Sequence, residues 1–405
     1  MVFDAGQGQP VSVVFTGTRR ELGGMLLRGY ALLIPTIGLY RFWLTTWKRR
    51  FYWANTEIDG DTLEYTGNAI QLLLGFLMAL AIFVPLYGLF FYLSTQSAEA
   101  AVAGYGGVAV LLWYLMGYAI YRARDFRLSR TLWRGIRFDQ DGNAWGYALR
   151  RFGWSLLMLI TVGLVYPFMA ANLWSYRYRH SWYGDRQFGF TGSWKQLAGP
   201  FYVSYVAIVV IGAVGLGMGA AMGALPSDTA QPDPVGYLPM LIAATLIGVM
   251  VLYYRSRELS RMYSSVRLGE AALTVKVSAR ALLGQYALFG VALLGAYIVL
   301  AIGGFVVLGA LTADAFANGS FDPNLFMSHM RSSMLTLVAI IVGYLLILGA
   351  FSLMCELFIG LGFWKLIATG ATITGIESLR SVRARGEDMA LAGEGLADAL
   401  NVGAY

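Results

Sequence analysis

The chain has few of the residues from which catalytic and redox sites are built. Its 405 residues include one cysteine, Cys355, and two histidines, His180 and His329. A single cysteine excludes an intrachain disulfide, and no HExxH, GxSxG or GxxxxGK(S/T) motif occurs. We therefore expect no enzymatic activity, no metal site and no cofactor.

Charged residues are scarce as well. They make up 13% of the chain, against 58% apolar residues, whereas soluble domains carry about 25% charged residues. Because roughly 20 apolar residues in helical form cross a membrane, this composition predicts an integral membrane protein. Seven charge-free runs are long enough: Ala69–Ala98, Ala100–Tyr121, Phe152–Tyr176, Gln196–Ser227, Pro234–Tyr254, Ala281–Ala313 and Ser332–Cys355.

The basic residues decide between two topologies, because lysine and arginine in short loops collect on the cytoplasmic side. A shorter apolar segment, residues 24–40, precedes the seven runs. If all eight crossed, the two sides would carry 13 and 17 of the 30 basic residues. If the first segment and the fourth, residues 153–174, each enter and leave on one face, the division becomes 29 to 1. We therefore predict six spanning helices and cytoplasmic termini. No secretory signal is evident in residues 1–22.

Helix-breaking residues support these two exceptions. The charge-free part of the first segment, Gly29–Tyr40, has 12 residues, or about 18 Å of helix against a hydrocarbon core of about 30 Å. It contains Pro35 and Gly38, and the fourth segment contains Gly163 and Pro167. Proline and glycine suit backbone that turns back within a membrane. We predict re-entrant or interfacial turns at these four residues.

The two exceptions also resemble each other at an offset of 125 residues. Thr36 then falls on Thr161, and Gly67 on Gly192, without a gap. This match indicates an internal duplication, and it is a parallel one because both copies start on the same face. We predict a first repeat at 1–139, a second at 140–270, an extra pair of spans at 271–365 and a cytoplasmic tail at 366–405.

An aromatic and basic stretch follows each of the two segments. In the first, Trp43, Trp47 and Phe51 recur at helical spacing, which is typical of a helix in the membrane interface. Cations there either anchor the helix generally or bind anionic headgroups, at about 1 kcal/mol each. We expect membrane lipids as partners at the cytoplasmic face, and no nucleic acid. The candidate headgroup residues are Lys48, Arg49, Arg50, Arg177 and Arg179.

Short hairpins are predicted next to these stretches. Asp59–Gly60, Gly184–Asp185 and Gly269–Glu270 are turn signals between alternating residues. Such short strands are not stable alone. They either pair into a small cytoplasmic sheet or fold as separate loops.

One acidic residue, Glu356, lies within an apolar stretch. Intramembrane acids mark ion and proton paths, so Glu356 is a tentative transport residue. In the alternative, the last span ends near Cys355 and Glu356 is an ordinary charge at the interface.

Two of the predicted spans contain glycines that leave part of the helix surface without side chains. One set recurs at every fourth residue from Gly215 to Gly223, and a second includes Gly303, Gly304 and Gly309. These faces permit close helix contact, either within the chain or in a homo-oligomer.

Several short motifs recur along the chain in a characteristic combination. They are Phe15–Gly17, Thr36–Tyr40 with Trp43, Lys48–Tyr52, Asn55–Thr56 with Asp59–Gly60, Trp182–Asp185, Phe188–Phe190 and Gly393–Leu400. Together they resemble the YjgN family of bacterial inner-membrane proteins. At Leu361–Leu366 the chain is less basic and aromatic than the family pattern. The resemblance implies a multi-span protein of the cytoplasmic membrane and brings no function with it.

These observations predict an all-α polytopic membrane protein with six spanning helices, two re-entrant or interfacial segments, short cytoplasmic β-hairpins and an internal parallel duplication. A small-solute permease or channel-like protein is the favoured function, because re-entrant segments elsewhere expose backbone to a cavity. The alternative is a non-transporting scaffold or lipid-interacting protein. A cavity lined by polar residues favours the first, and a solid apolar bundle favours the second.

Overall fold

Helices alternate with short paired strands along the chain. The computed structural model describes residues 9–224, 233–316 and 322–385. The motif Gly393–Leu400 lies outside these residues. The helices are α1 (Arg19–Leu33), α2 (Arg41–Ala54), α3 (Ala69–Ser94), α4 (Ala98–Leu128), α5 (Ala144–Ile160), α6 (Tyr166–Arg179), α7 (Trp194–Ala221), α8 (Tyr237–Tyr263), α9 (Ala279–Leu311), α10 (Pro323–Ser332), α11 (Met334–Met354) and α12 (Leu361–Thr369).

Six helical stretches of the described chain are long and apolar enough to cross a membrane. Each overlaps one of the predicted spans, and neither the first apolar segment nor the fourth is among them. The structure thus confirms that six helices are long and apolar enough to span a membrane. The stretches are Ala69–Ser94, Ala98–Leu128, Trp194–Ala221, Pro234–Tyr263, Ala279–Leu311 and Met334–Thr369.

The first and fourth segments are interrupted by turns of the same backbone conformation. Between α1 and α2, Ile37 and Gly38 have φ angles of 50° and 82°; between α5 and α6, Val162 and Gly163 have 50° and 88°. A left-handed conformation is unusual for β-branched residues such as Ile37 and Val162. Its occurrence in both segments shows that the two turns have the same defined backbone geometry. The fourth segment is consequently two helices of 17 and 14 residues, not one continuous span.

The strands form one sheet, and the all-α prediction is wrong in this respect. Its order is β1-β11-β10-β9-β8-β7-β6-β5-β4-β3-β2, with antiparallel neighbours. The three predicted hairpins, β3–β4, β7–β8 and β9–β10, are present, and the second pairs directly with the third through β8 and β9. Strands β1 and β2, the β5–β6 hairpin and β11 were not predicted. The strands are β1 (Val11–Ser12), β2 (Val14–Phe15), β3 (Thr56–Ile58), β4 (Asp61–Tyr65), β5 (Thr131–Trp133), β6 (Ile136–Gln140), β7 (Ser181–Tyr183), β8 (Arg186–Phe190), β9 (Val266–Leu268), β10 (Ala271–Val275) and β11 (Ala371–Thr374).

The hairpin turns follow from residues that tolerate positive φ. Asp59 and Gly60 both have positive φ, as do Arg134 and Gly135, which is the type I′ conformation that matches strand twist. The second of these turns was missed because arginine is not a usual first residue of such a turn. Arg134 is stabilised there by ion pairs with Asp59 (2.7 Å) and Asp61 (2.6 Å) of the neighbouring hairpin.

The two ends of the sheet meet in consecutive residues of the chain. Val11 pairs with Ile373 of β11, and Val14 pairs with Glu57 of β3. Between them, the Val13 amide donates to the carbonyl of Ala371 at 3.0 Å. The bent segment β1–β2 therefore bridges both edges, and the sheet is almost a closed ring.

Apolar side chains from around the ring converge on one core. Trp133 and Tyr183 are its largest buried members, and the Tyr183 hydroxyl donates to the Trp133 carbonyl at 3.0 Å. Burial raises the pKa of Tyr183 to about 12, so this hydroxyl stays neutral. Ile376 and Leu379, from the 3₁₀-helix that follows β11, complete the same core. Part of the predicted C-terminal tail is thus a structural element of the sheet.

The chain divides into two units. One comprises Met1–Gly17, Ile37–Ala279 and Ile367–Tyr405, and the other comprises Thr18–Thr36 and Arg280–Leu366. The first contains the sheet. The second contains α1 together with α9, α10 and α11, so α1 is grouped with the predicted extra pair of spans and not with the first repeat.

The two glycine sets differ in their surroundings. A Cβ added at Gly215 would lie 2.3 Å from the Cβ of Ala243 in α8, and one at Gly219 would lie 2.9 Å from Met240. The intrachain interpretation is confirmed for these two residues. At Gly303, Gly304 and Gly309, a Cβ would have no neighbour within 4 Å among the described residues.

We predict that Gly184→Ala destabilises the sheet more than Gly60→Ala does. Both residues have positive φ, so each alanine costs about 1–2 kcal/mol in backbone strain. At Gly184, however, the new Cβ would also lie 2.2 Å from the carbonyl oxygen of Arg383, whereas at Gly60 it meets nothing. Thermal unfolding of the purified full-length protein in detergent measures the difference. Equal losses of Tm would contradict the packing of the C-terminal segment against β7.

Candidate functional site

The last spanning stretch is interrupted by one turn of π-helix, Cys355–Gly360. Within it the amide of Leu361 bonds to the carbonyl of Glu356, five residues back, in place of the four-residue spacing of an α-helix. The extra residue bulges the backbone and deprives the Leu357 carbonyl of the Leu361 amide, its usual partner. Such turns occur often at functional sites.

Glu356 is the second residue of this turn and is 8% exposed. The helical stretch continues beyond it to Thr369. Glu356 and Glu258 are the buried carboxylates among the described residues.

A pair of hydroxyl groups, from Ser352 and Tyr30, lies about one helical turn before Glu356. Ser352 precedes Glu356 by four residues, which places both on one helix face. The Ser352 Oγ is 2.8 Å from the Tyr30 Oη of α1. Ser352 and Tyr30 therefore form a bonded pair of hydroxyls about one helical turn from Glu356.

Side chains from two other helices bind the carbonyls of the π turn. Arg19 Nε of α1 donates to the Leu357 carbonyl at 3.3 Å, and Gln285 Nε2 of α9 donates to the Phe358 carbonyl. Arg19 Nη2 also donates to Gln285 Oε1 at 3.3 Å, and its guanidinium lies 5.1 Å from the centre of the Phe358 ring. We call Glu356, Tyr30, Ser352, Arg19 and Gln285 the π-turn centre.

The second buried carboxylate, Glu258 of α8, was not predicted. It is 2% exposed. Tyr166 Oη of α6 donates to it, 3.2 Å from each carboxylate oxygen, and Arg255 Nη1 lies 3.1 Å away. In the sequence Glu258 follows the charge-free run and lies among basic residues, so the pattern indicates a charge at the membrane interface. The sequence signal for a buried ion pair was Arg255, three residues earlier on the same helix.

Aromatic residues enclose the Glu258 pair. The Tyr166 ring lies 5.5 Å from Phe201 of α7 and 5.9 Å from Tyr254, between ring centres. The arrangement fixes the start of α6 against α7 and α8.

The predicted re-entrant residues have different roles in the two turns. Pro35 and Gly38 lie in the exposed loop between α1 and α2, whereas Pro167 is buried in the first turn of α6, where proline starts a helix well. Gly163 adopts the positive φ of its turn. Two tyrosines of α7 satisfy that turn: Tyr205 donates to the Val162 carbonyl at 2.8 Å and Tyr202 to the Leu164 carbonyl at 3.2 Å.

The predicted headgroup residues do not form one group. Arg49 is buried and its Nη1 donates to the Tyr65 hydroxyl at 2.9 Å, so its position does not support headgroup contact. Arg50 is exposed and Lys48 is half-buried. In α6, Arg179 is exposed, while Arg177 is half-buried with its guanidinium 5.2 Å from the Trp174 ring.

A metal centre is not evident in the described part of the chain, where no three histidine, cysteine, aspartate or glutamate side chains lie close enough to hold an ion.

Six candidate spanning helices, joined through a sheet of short hairpins, define a multi-pass membrane protein. Within that class the chain belongs to the family of bacterial proteins of unknown function designated DUF898, whose model matches residues 10–295. This is the YjgN family, so the resemblance drawn from the motifs is confirmed. No curated protein and no solved structure matches the chain.

We predict that Arg49→Gln lowers the stability of the protein and that Arg50→Gln does not. Arg49 is buried against Tyr65, and loss of a charged partner from a buried bond costs about 1–3 kcal/mol. Arg50 is exposed, although it donates to the Gly67 carbonyl at 3.2 Å. Thermal unfolding in one detergent compares the variants. An Arg49→Gln protein as stable as the unmodified one would contradict a structural role for the bond between Arg49 and Tyr65.

Proposed function

We propose that the protein is a small-solute permease or channel-like protein in which Glu356 binds a proton during transport. The carrying observation is the burial of Glu356 on a π-helical turn within a spanning stretch. Ionisable residues inside a membrane are costly and serve ion or proton paths as a rule. Ser352, one helical turn before Glu356, supplies a hydroxyl that is bonded to the Tyr30 hydroxyl. The role is transport without a chemical reaction.

The proposed topology has six crossings and two re-entrant segments. Residues 16–55 begin and end on paired strands, since Phe15 pairs with Thr56, and residues 141–180 do likewise, since Gln140 pairs with Ser181. A segment whose two ends lie in one sheet enters and leaves on the same side. The turn tips are apolar and exposed, for example Ile37 at 93%, which suits insertion among lipid tails. With 29 basic residues on the sheet side, that side is cytoplasmic in the bacterial inner membrane.

The proposed parallel duplication is supported by the two turns. Their left-handed residues, Ile37–Gly38 and Val162–Gly163, fall on each other at the offset of 125 residues. Each turn is followed by a basic helix and then by a hairpin of a three-residue and a five-residue strand.

We predict that a cysteine at Ser352 reacts with a membrane-impermeant thiol reagent from at least one side. On a Cys355→Ala background, Ser352→Cys is the single probe, and thiolates react only where water reaches them. Leu345→Cys, at a residue 51% exposed in the same helix, is the control that faces lipid and stays unlabelled. An unlabelled Ser352→Cys on both sides would mean that no aqueous path exists, and a scaffold role would replace transport.

Glu356→Gln is expected to abolish proton movement coupled to solute uptake, because glutamine does not titrate. Proteoliposomes with an internal pH dye and a panel of small solutes measure this movement. Glu64→Gln, at an exposed residue of β4, is the matched control. Undiminished proton movement in Glu356→Gln would remove Glu356 from the mechanism.

A lipid-interacting role is the second candidate, favoured by the exposed Arg50 and Arg179 next to the apolar turn tips. In this role anionic lipids are the partners, and the open glycines of α9 provide a face for a homo-oligomer. We predict that Lys48→Gln with Arg50→Gln reduces the phosphatidylglycerol retained by the purified protein, since each cation contributes about 1 kcal/mol at an anionic surface. Native mass spectrometry counts the bound lipid. Retention equal to that of an Arg331→Gln control would exclude a headgroup role for these cations.

A further inference from the structure

The π-helical turn holds one more residue than an α-helix of the same length would. In an α-helix the Leu357 carbonyl would accept from the amide of Leu361, yet that amide bonds to the Glu356 carbonyl. If the turn returned to α geometry, the part of the helix on one side would rotate by about 100° and shift by about 1.5 Å relative to the other. Ser352 precedes the turn, Glu356 is its second residue and Gly362 follows it.

The carbonyl that the extra residue leaves without its usual backbone partner is that of Leu357, and a side chain binds it. Arg19 binds the Leu357 carbonyl and Gln285 binds the Phe358 carbonyl. The two side chains are also bonded to each other at 3.3 Å. The bond from Arg19 therefore competes with the backbone bond of the α form for the Leu357 carbonyl, and the bond from Gln285 holds the Arg19 side chain in that position.

Gly362 makes room for one of these side chains. A Cβ at this residue would lie 2.1 Å from the Gln285 Cδ. The contact is with the end of a flexible side chain, so an alanine would displace the Gln285 amide without blocking the helix. At Gly343, in the preceding helix α11, a Cβ would meet nothing within 4 Å.

We propose that the π-helical turn is a register switch, which Gln285 and Arg19 hold in the π form, and which reorients Glu356 and Ser352 when it converts to the α form. In a transporter this conversion moves the buried carboxylate between two orientations. The role of the switch in moving the carboxylate rests on the proposed function. The conversion between the π and α forms does not require transport.

The test measures two properties of the full-length protein in nanodiscs. Hydrogen–deuterium exchange of the amides in residues 355–362 reports how firmly the turn is held. The labelling rate of Ser352→Cys, on the Cys355→Ala background, reports its orientation. We expect Gly362→Ala and Gln285→Ala each to change both rates about fivefold, the ratio that corresponds to one lost hydrogen bond. Gly343→Ala is the control and leaves both rates unchanged.

A double variant sharpens the result. Because Gly362→Ala acts by displacing Gln285, the pair Gly362→Ala with Gln285→Ala should equal either single variant, and an additive effect would overturn the proposal. Faster exchange with unchanged labelling would mean that the turn loosens without rotating, which would also overturn it. Proton movement in the Glu356→Gln variant is a separate measurement, so failure of the transport proposal is distinguishable from failure of the switch.

Discussion

Backbone hydrogen bonding between strands constrains the helices of this protein. Each hairpin joins two helices and is paired with the hairpins before and after it in the chain, until β1 and β2 bridge the two remaining edges. The ends of the helices that meet these hairpins are thereby held at one sheet. A ring closed in this way also leaves almost no free strand edge, which protects a set of very short strands from pairing with other chains.

The same requirement, that polar groups in apolar surroundings have partners, explains the irregular parts of the helices. The break between α5 and α6 is satisfied by hydroxyls of Tyr202 and Tyr205 from the adjacent helix. Glu258 is buried with Tyr166 and Arg255 around it. At the π turn the acceptors are occupied by Arg19 and Gln285. At the break between α5 and α6 and at the π turn, a departure from regular helix coincides with side-chain donors supplied by another element.

Much of the helical plan was predictable, and much of the candidate site was not. Glu356 was found because an acid within an apolar run is conspicuous in a sequence. Glu258 was missed because its burial depends on Tyr166, 92 residues earlier. The β5–β6 hairpin was missed because Arg134 occupies a left-handed position that arginine seldom takes, and its stabilising partners, Asp59 and Asp61, belong to another hairpin. Strands of two residues, such as β1, carry too little pattern to be recognised.

The sequence by itself determined the six spanning stretches, the two interrupted segments and the family, because length, hydropathy and helix-breaking residues act within short windows of the chain. Tertiary structure decided which hairpins pair, how the ring closes and which cations remain exposed. Arg49 and Arg50 are adjacent and chemically identical, yet one is bonded to Tyr65 inside the protein and the other reaches solvent. That distinction, like the Arg19 and Gln285 bonds at the π turn, arises from contacts between residues far apart in the sequence, which no local pattern records.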